Sequence, residues 1–267
     1  MTSVAALAPY LGGALVLGGV AAAASRRREL MVRWCAWALG MPLVVGAFWL
    51  GRPGTAVIAA AVGVIGVLEY GGMLGLRWPD RAMLATAVVA VVGAAWLTPG
   101  QVPRVIAVGA LAVAAVPLLS GDSEHGLRRL GAGLLGLAWL GLPAALVPLG
   151  ATGLALFVAV SVADIVAYFA GRKLGGPPLS PLSPAKRWSG TVAGAAAGLG
   201  TLALLSVATW PMAIAVAVGG PAGDLLESMI KRGAGTKDAG GWLPGSGGLL
   251  DRIDSLLIAL AVLLVLS

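Results

Sequence analysis

Apolar residues run in long blocks along this chain, broken at short intervals by Arg, Lys, Pro or Gly. Read between those breaks, the pattern gives ten candidate spans: 4–24, 34–51, 54–74, 82–98, 103–120, 130–149, 151–170, 190–209, 211–230 and 249–267. A helix needs about 20 apolar residues to cross the hydrocarbon of a bilayer. The pattern therefore predicts an all-α, polytopic integral membrane protein with about ten transmembrane helices. The first run is not expected to be a cleaved signal peptide, because no Lys or Arg precedes it and Arg26, Arg27 and Arg28 follow it.

The positive charges order these spans. Connections after the first, third, fifth, seventh and ninth runs hold 16 of the 18 Lys and Arg residues; Arg52 and Arg104 alone fall in the others. Because Lys and Arg collect in cytoplasmic loops, the odd-numbered connections are expected in the cytoplasm and both termini outside. Composition agrees with this class. Of 267 residues, 59% are hydrophobic and 11% charged, whereas a water-soluble domain carries about 25% charged residues. The net charge of +7 then reads as topology signal and attraction to anionic membrane lipids, with no nucleic-acid partner. One cysteine, Cys35, and one histidine, His125, exclude an internal disulfide and Cys- or His-rich metal sites.

The polar residues are not spread evenly. Six of eleven carboxylates (Asp164, Asp224, Glu227, Asp238, Asp251 and Asp254) and all four lysines lie between 164 and 254. So do the two long hydrophilic loops, 171–189 and 231–248. We therefore divide the chain into N-terminal membrane helices, 1–150, and a C-terminal catalytic region, 151–267, with its active site on the cytoplasmic side. On a helix, Asp224, Ser228 and Lys231 share one face, and Asp251 and Asp254 are one turn apart. A glycine-rich loop with Arg232 and Lys237 joins the two groups. Carboxylates suit a hard cation, while bare backbone N–H groups and cations suit phosphate oxygens, so the parts are those of a metal–polyphosphate site. Gly190, Gly194 and Gly198 recur at helical spacing and are read as close helix packing.

The run Ser228-x2-Lys231-Arg232-x4-Lys237-Asp238, followed by Pro244-Gly245-x-Gly247-Gly248-x2-Asp251-Arg252-x-Asp254, resembles the signature of the phosphatidate cytidylyltransferases, the CDP-diacylglycerol synthases. Upstream, Asp164-x3-Tyr168-x2-Gly171-Arg172 and Leu179-Ser180-Pro181-x-Ser183-Pro184-x-Lys186-x-Trp188-x-Gly190 resemble a second block of that family. Ser246 stands where the family pattern has His, and Ala185, Arg187 and Ser189 where it has Lys, Thr and Glu. The resemblance implies transfer of CMP from CTP to phosphatidate, giving CDP-diacylglycerol and pyrophosphate, in the inner membrane. It implies Mg²⁺ held by Asp224 and Asp251, with room for a second cation such as K⁺, and leads us to expect a homodimer.

On this reading Asp224, Asp251, Ser228, Lys231 and Arg232 carry the reaction, and Lys186, Arg187, Ser183, Lys237, Arg252, Asp254 and Ser246 hold the substrates. Glu227 and Asp254 are read as supporting the metal or pairing with Arg232 and Arg252, and Asp164 as structural or metal-supporting. Trp188 is read as an interfacial anchor, Glu69 as a buried partner of an Arg or Tyr, and His125 as solvated. Two other enzyme-family readings stand beside this one. A CTP-dependent lipid-alcohol kinase would move the γ-phosphoryl group, and a non-catalytic paralogue is motivated by Ser246 and Ser189. An ion-coupled transporter, suggested by Asp164 and Glu69, would place its polar residues near the membrane midplane instead.

Overall fold

A computed structural model describes residues 3–26, 28–240 and 247–267. Its helices are α1 (Val4–Ser25), α2 (Arg28–Trp49), α3 (Gly51–Met73), α4 (Trp78–Leu97), α5 (Val102–Leu119), α6 (Gly126–Leu140), α7 (Leu146–Leu149) and α8 (Ala151–Leu174). After a hairpin of β1 (Pro178–Ser180) and β2 (Ser183–Arg187) follow α9 (Trp188–Leu204), α10 (Trp210–Ile214), α11 (Gly220–Gly233) and α12 (Leu250–Leu266). Among the described residues, seven helical stretches are long and apolar enough to cross a membrane, so this is an all-α, multi-pass membrane protein. The apolar part of α2, 34–49, and the 17-residue helices α9 and α12 are shorter. At 1.5 Å per residue, 17 residues reach roughly 25 Å, just under the hydrocarbon thickness.

Three of the expected segments differ in detail. The run at 130–149 is not one helix: α6 stops at Leu140, a 3₁₀ turn covers Leu142–Ala145, and α7 adds one turn. Pro143 lies in that turn and supplies no backbone N–H to continue an α ladder. The run at 211–230 is also composite, with α10 and α11 joined through a π-helical segment, Ala215–Gly219. Pro221 sits at the start of α11, where its missing N–H removes an i→i−4 bond and the ladder widens by a residue. The expected loop 171–189 is largely structured as well. Helix α8 continues to Leu174, and β1 pairs antiparallel with β2, Pro178 opposite Arg187 and Ser180 opposite Ser183.

Helices α8 and α9 make the most extensive helix–helix contact, and the glycine stripe explains it. A Cβ on Gly190 would stand 2.4 Å from the Ala167 carbonyl oxygen, and one on Gly194 2.6 Å from that of Ala163. Two apolar cores result. Among the described residues one gathers α3–α7 with Ile230 of α11, the other gathers α8–α10 with Leu7 and Leu11 of α1 and Phe48 of α2, and α12 enters both, with Leu250, Ile253 and Leu257 in the first and Leu256, Leu260 and Leu263 in the second.

Polar contacts bring the odd-numbered connections together. Arg129, 6% exposed, grips Asp80 through two bonds (Nε to Oδ2 2.9 Å, Nη2 to Oδ1 2.8 Å) and reaches Asp122 at 2.8 Å. Arg77 closes on Asp122 at 3.0 Å. The backbone N–H of His125, then the Arg129 guanidinium, hold the Asp122 carboxyl below the usual carboxylate range. The Asp80–Arg129 pairing was not visible in the sequence, because its members are 49 residues apart. At the other end of the bundle, Arg52 donates to the Ala95 carbonyl at 3.0 Å.

Candidate active site

The site is made where α11 and α12 touch backbone to backbone. A Cβ on Gly223 would lie 2.2 Å from the Asp254 carbonyl oxygen, and one on Gly219 2.7 Å from Ala259 Cα. Nothing bulkier than hydrogen fits at either position, which draws the next residues of α11 onto α12. Asp224 and Glu227, at i and i+3, face Asp254, and a carboxylate oxygen from each of the three lies within 4.8 Å of the others. Glu227 and Asp254 are buried and Asp224 is partly open. Among the described residues, Glu227 Oε1 is buried without a hydrogen-bond partner.

Around this trio the charges interlock. Lys231, one turn beyond Glu227, donates to Glu227 Oε2 at 2.6 Å and to Asp251 Oδ1 at 2.8 Å. The other oxygen of Asp251 accepts the backbone N–H groups of Gly248 (2.7 Å) and Ala239 (3.1 Å). Asp251 thereby pins both flanks of the glycine loop, and each of its oxygens already has a donor. From β2, Lys186 forms an ion pair with Asp224. Burial draws the Lys186 ammonium below the ordinary lysine range, against the upward pull of Asp254 and Asp164. Its position follows from the hairpin, whose Arg187 donates to the Gly176 carbonyl at 2.9 Å, while the Ser189 hydroxyl at the start of α9 donates to that of Gly175, just past α8.

Asp224, the partly open member of the trio, lines a cleft of about 550 Å³ bounded by α8, the hairpin, α9, the π segment and the start of α11. Its polar lining includes Asp164, Arg172, Ser183, Lys186, Arg187 and Asp224. Three carboxylates, one with an unpartnered buried oxygen, form an all-oxygen donor set of the kind that suits Mg²⁺.

Of the residues singled out from the sequence, the structure brings together Lys186, Asp224, Lys231, Asp251 and Asp254, with Ser183 and Arg187 on the cleft. Ser228 is half-buried on α11, and Arg232 and Lys237 are exposed. Arg252 lines a separate apolar cavity between α2, α3 and α12, and Ser246 lies outside the described residues. Glu227 pairs with Lys231 and joins the acidic trio, a place its i, i+3 spacing from Asp224 could have signalled. Trp188 is half exposed at the start of α9.

The expectation for Glu69 is overturned. Its partners are neither Arg nor Tyr but the backbone N–H groups of Leu249 and Leu250, at 2.9 and 2.8 Å. Its neighbour Tyr70 donates instead to the Ala132 carbonyl at 2.8 Å. A carboxylate so placed satisfies donors that a helix start leaves free, which a search for side-chain partners could not find.

Comparison with known proteins bears on this geometry. The model of the cytidylyltransferase family matches residues 31–267. The chain is 34% identical over 235 residues to the phosphatidate cytidylyltransferase of Brucella abortus, covering 80% of this chain and 84% of that protein. It is 37% identical over 252 residues to the phosphatidate cytidylyltransferase of Pseudomonas aeruginosa, covering 83% and 91%. With the chloroplastic phosphatidate cytidylyltransferase 4 of Arabidopsis thaliana it shares 42% identity over 108 residues, 37% of this chain and 28% of that protein. A match running through the hairpin, both acid-bearing helices and the glycine loop leaves one assignment: the chain belongs to the cytidylyltransferase family.

Proposed function

We propose that this protein transfers the cytidylyl group of CTP to phosphatidate, giving CDP-diacylglycerol and pyrophosphate, at the cytoplasmic face of the inner membrane. The observation that carries the reading is the Asp224–Glu227–Asp254 cluster, which reaches through Asp224 into a cleft that Lys186, Arg187 and Arg172 also line. A phosphatidate oxygen forms a bond to the α-phosphorus of CTP, and the α–β bridging bond breaks with its electron pair leaving on pyrophosphate. The second pKa of a phosphate monoester is near 6, so the nucleophile is largely ionised at neutral pH and no side chain has to act as its base. This is also why a Ser at position 246, where relatives in the family pattern carry His, is compatible with catalysis.

What remains is to bring two anions together. Asp224, Glu227 and Asp254 would hold Mg²⁺, which when bound neutralises and polarises the nucleotide phosphates. Lys186 gives up Asp224 for a phosphate oxygen, a short exchange because both already face the cleft. Lys231, held from two sides, keeps Glu227 and Asp251 in register, and Asp251 holds Ala239 and Gly248 together. Positioning and charge neutralisation supply the rate enhancement.

The alternation of positive charge supports the sidedness, and the contacts that gather the odd-numbered connections agree with it. The test uses purified protein in detergent–lipid micelles with phosphatidate, Mg²⁺ and CTP labelled on the cytidine. Label entering lipid together with pyrophosphate release is expected. CDP release with a phosphorylated lipid would replace the reading with that of a kinase, and no transfer by folded protein would leave a non-catalytic paralogue.

A further inference from the structure

We infer that Glu69 of α3 is a positioning residue for the metal cluster, acting through the start of α12. Its carboxylate, 4% exposed, accepts the N–H groups of Leu249 and Leu250 across a separation of 180 and 181 residues. Those two donors open the helix whose second residue is Asp251 and whose fifth is Asp254. An anion at a helix start is favoured by the free N–H groups and by the helix dipole, and a charge-assisted bond is about twice as strong as a neutral one. Both flanks of the glycine loop are moulded to it. A Cβ on Gly248 would stand 2.7 Å from Glu69 Oε2, and one on Gly240 2.8 Å from Oε1.

Glu69 touches none of the acids that would hold metal. It fixes the pitch and axial position of α12, and α12 carries Asp254 to within reach of Asp224 and Glu227 on α11. The α11–α12 contact at Gly219 and Gly223 sets how close the helices come. The grip at the head of α12, together with the Lys231–Asp251 bond, sets where along that contact Asp254 stops. The N-terminal helices therefore contribute to the metal site without lending it a ligand.

The inference rests on the metal cluster proposed above, so the test separates the two. Mg²⁺ is titrated against the full chain in detergent–lipid micelles, following both the rise in Tm and kcat and KM for CTP. In Glu69→Ala the Mg²⁺ needed for half-maximal stabilisation is expected to rise about tenfold or more, the scale seen when groups orienting metal ligands are removed. Glu69→Gln, which keeps the volume and one acceptor, is expected to fall between Ala and wild type, with the loss in kcat larger than the change in KM. Gly248→Ala, which pushes on the same carboxylate from the loop, is expected to shift the titration in the same direction. Asp80→Asn loosens the same end of the bundle away from α12, and is expected to lower Tm while leaving the Mg²⁺ midpoint in place. If Glu69→Ala does not fold, Glu69→Gln and Gly248→Ala decide. Folded variants with Mg²⁺ midpoints within twofold of wild type overturn the role of Glu69. A wild-type protein that shows no Mg²⁺ response overturns the cluster itself.

Discussion

Gly223→Ala isolates the helix contact on which the acidic cluster depends. The added Cβ would meet the Asp254 carbonyl oxygen at 2.2 Å and Ser255 Cα at 2.8 Å. Both are backbone atoms, so no side chain can swing aside. Unstrained non-bonded carbon contacts lie at about 3.5–4.0 Å, and relieving the overlap means parting α11 from α12 by on the order of 1 Å. Overpacking of this kind costs about 1–3 kcal/mol of stability. The larger effect falls on the chemistry, because Asp224 and Glu227 move with α11 while Asp254 stays with α12. A misplacement of about 1 Å is worth roughly 10²-fold in rate. Cytidine transfer to lipid and the Mg²⁺ dependence of Tm measure the two consequences separately. Gly200→Ala, on a helix face with nothing within 4 Å of the new Cβ, serves as control; it should leave activity intact and gain up to about 1 kcal/mol of helix propensity. Wild-type turnover in Gly223→Ala, or a loss of stability without any change in turnover or Mg²⁺ dependence, would refute the reasoning.

Asp224→Asn and Glu227→Gln should each lower turnover by about 10²–10³-fold, the scale of one lost electrostatic contact to a transition state, with membrane expression unchanged. Arg129→Ala strands the buried Asp80 carboxylate and should cost about 3–5 kcal/mol, seen as a lowered Tm, while the folded fraction keeps its KM for CTP. The Asp122 carboxyl is held low in the folded protein, so its contribution is complete above the unfolded value near 4 and disappears as pH falls through the folded one. Tm followed from pH 7 to pH 3 should drop more steeply in wild type than in Asp122→Asn, whose residue 122 has no proton to take up.

The membrane class was legible because it depends on local pattern: apolar blocks of span length and charge on alternate connections. The face shared by Asp224 and Lys231 was legible for the same reason, since one helix's periodicity is written in consecutive residues. Contacts between helices are not written that way. That Asp254 meets Asp224 and Glu227 depends on two glycines whose effect appears only when a second backbone lies against them. Glu69 was read as needing a side-chain partner because backbone donors at a distant helix start have no residue-type signature. The hairpin at 178–187 hid among Pro and Ser residues that also suit an irregular loop. The Asp80–Arg129–Asp122 network was missed because each member, taken singly, reads as an ordinary helix-end charge.

The π segment at Ala215–Gly219 has a bearing on how this sequence can change by insertion and deletion. Each residue added to or taken from an α-helix turns everything after it by about 100°. The wide turn before Pro221 holds one residue more than a continuous α ladder would and takes it up in a slower rotation, so Gly223, Asp224 and Glu227 keep the phase in which they meet α12. Losing a single residue between 215 and 219 would restore a regular helix and keep the acids on the face they share with Asp254, because the wide turn has already absorbed that residue. The irregularity is thus a place where the chain can differ by one residue without losing the cluster, whereas a change of length within α11, between Gly220 and Glu227, would turn the acids off α12 by about 100°.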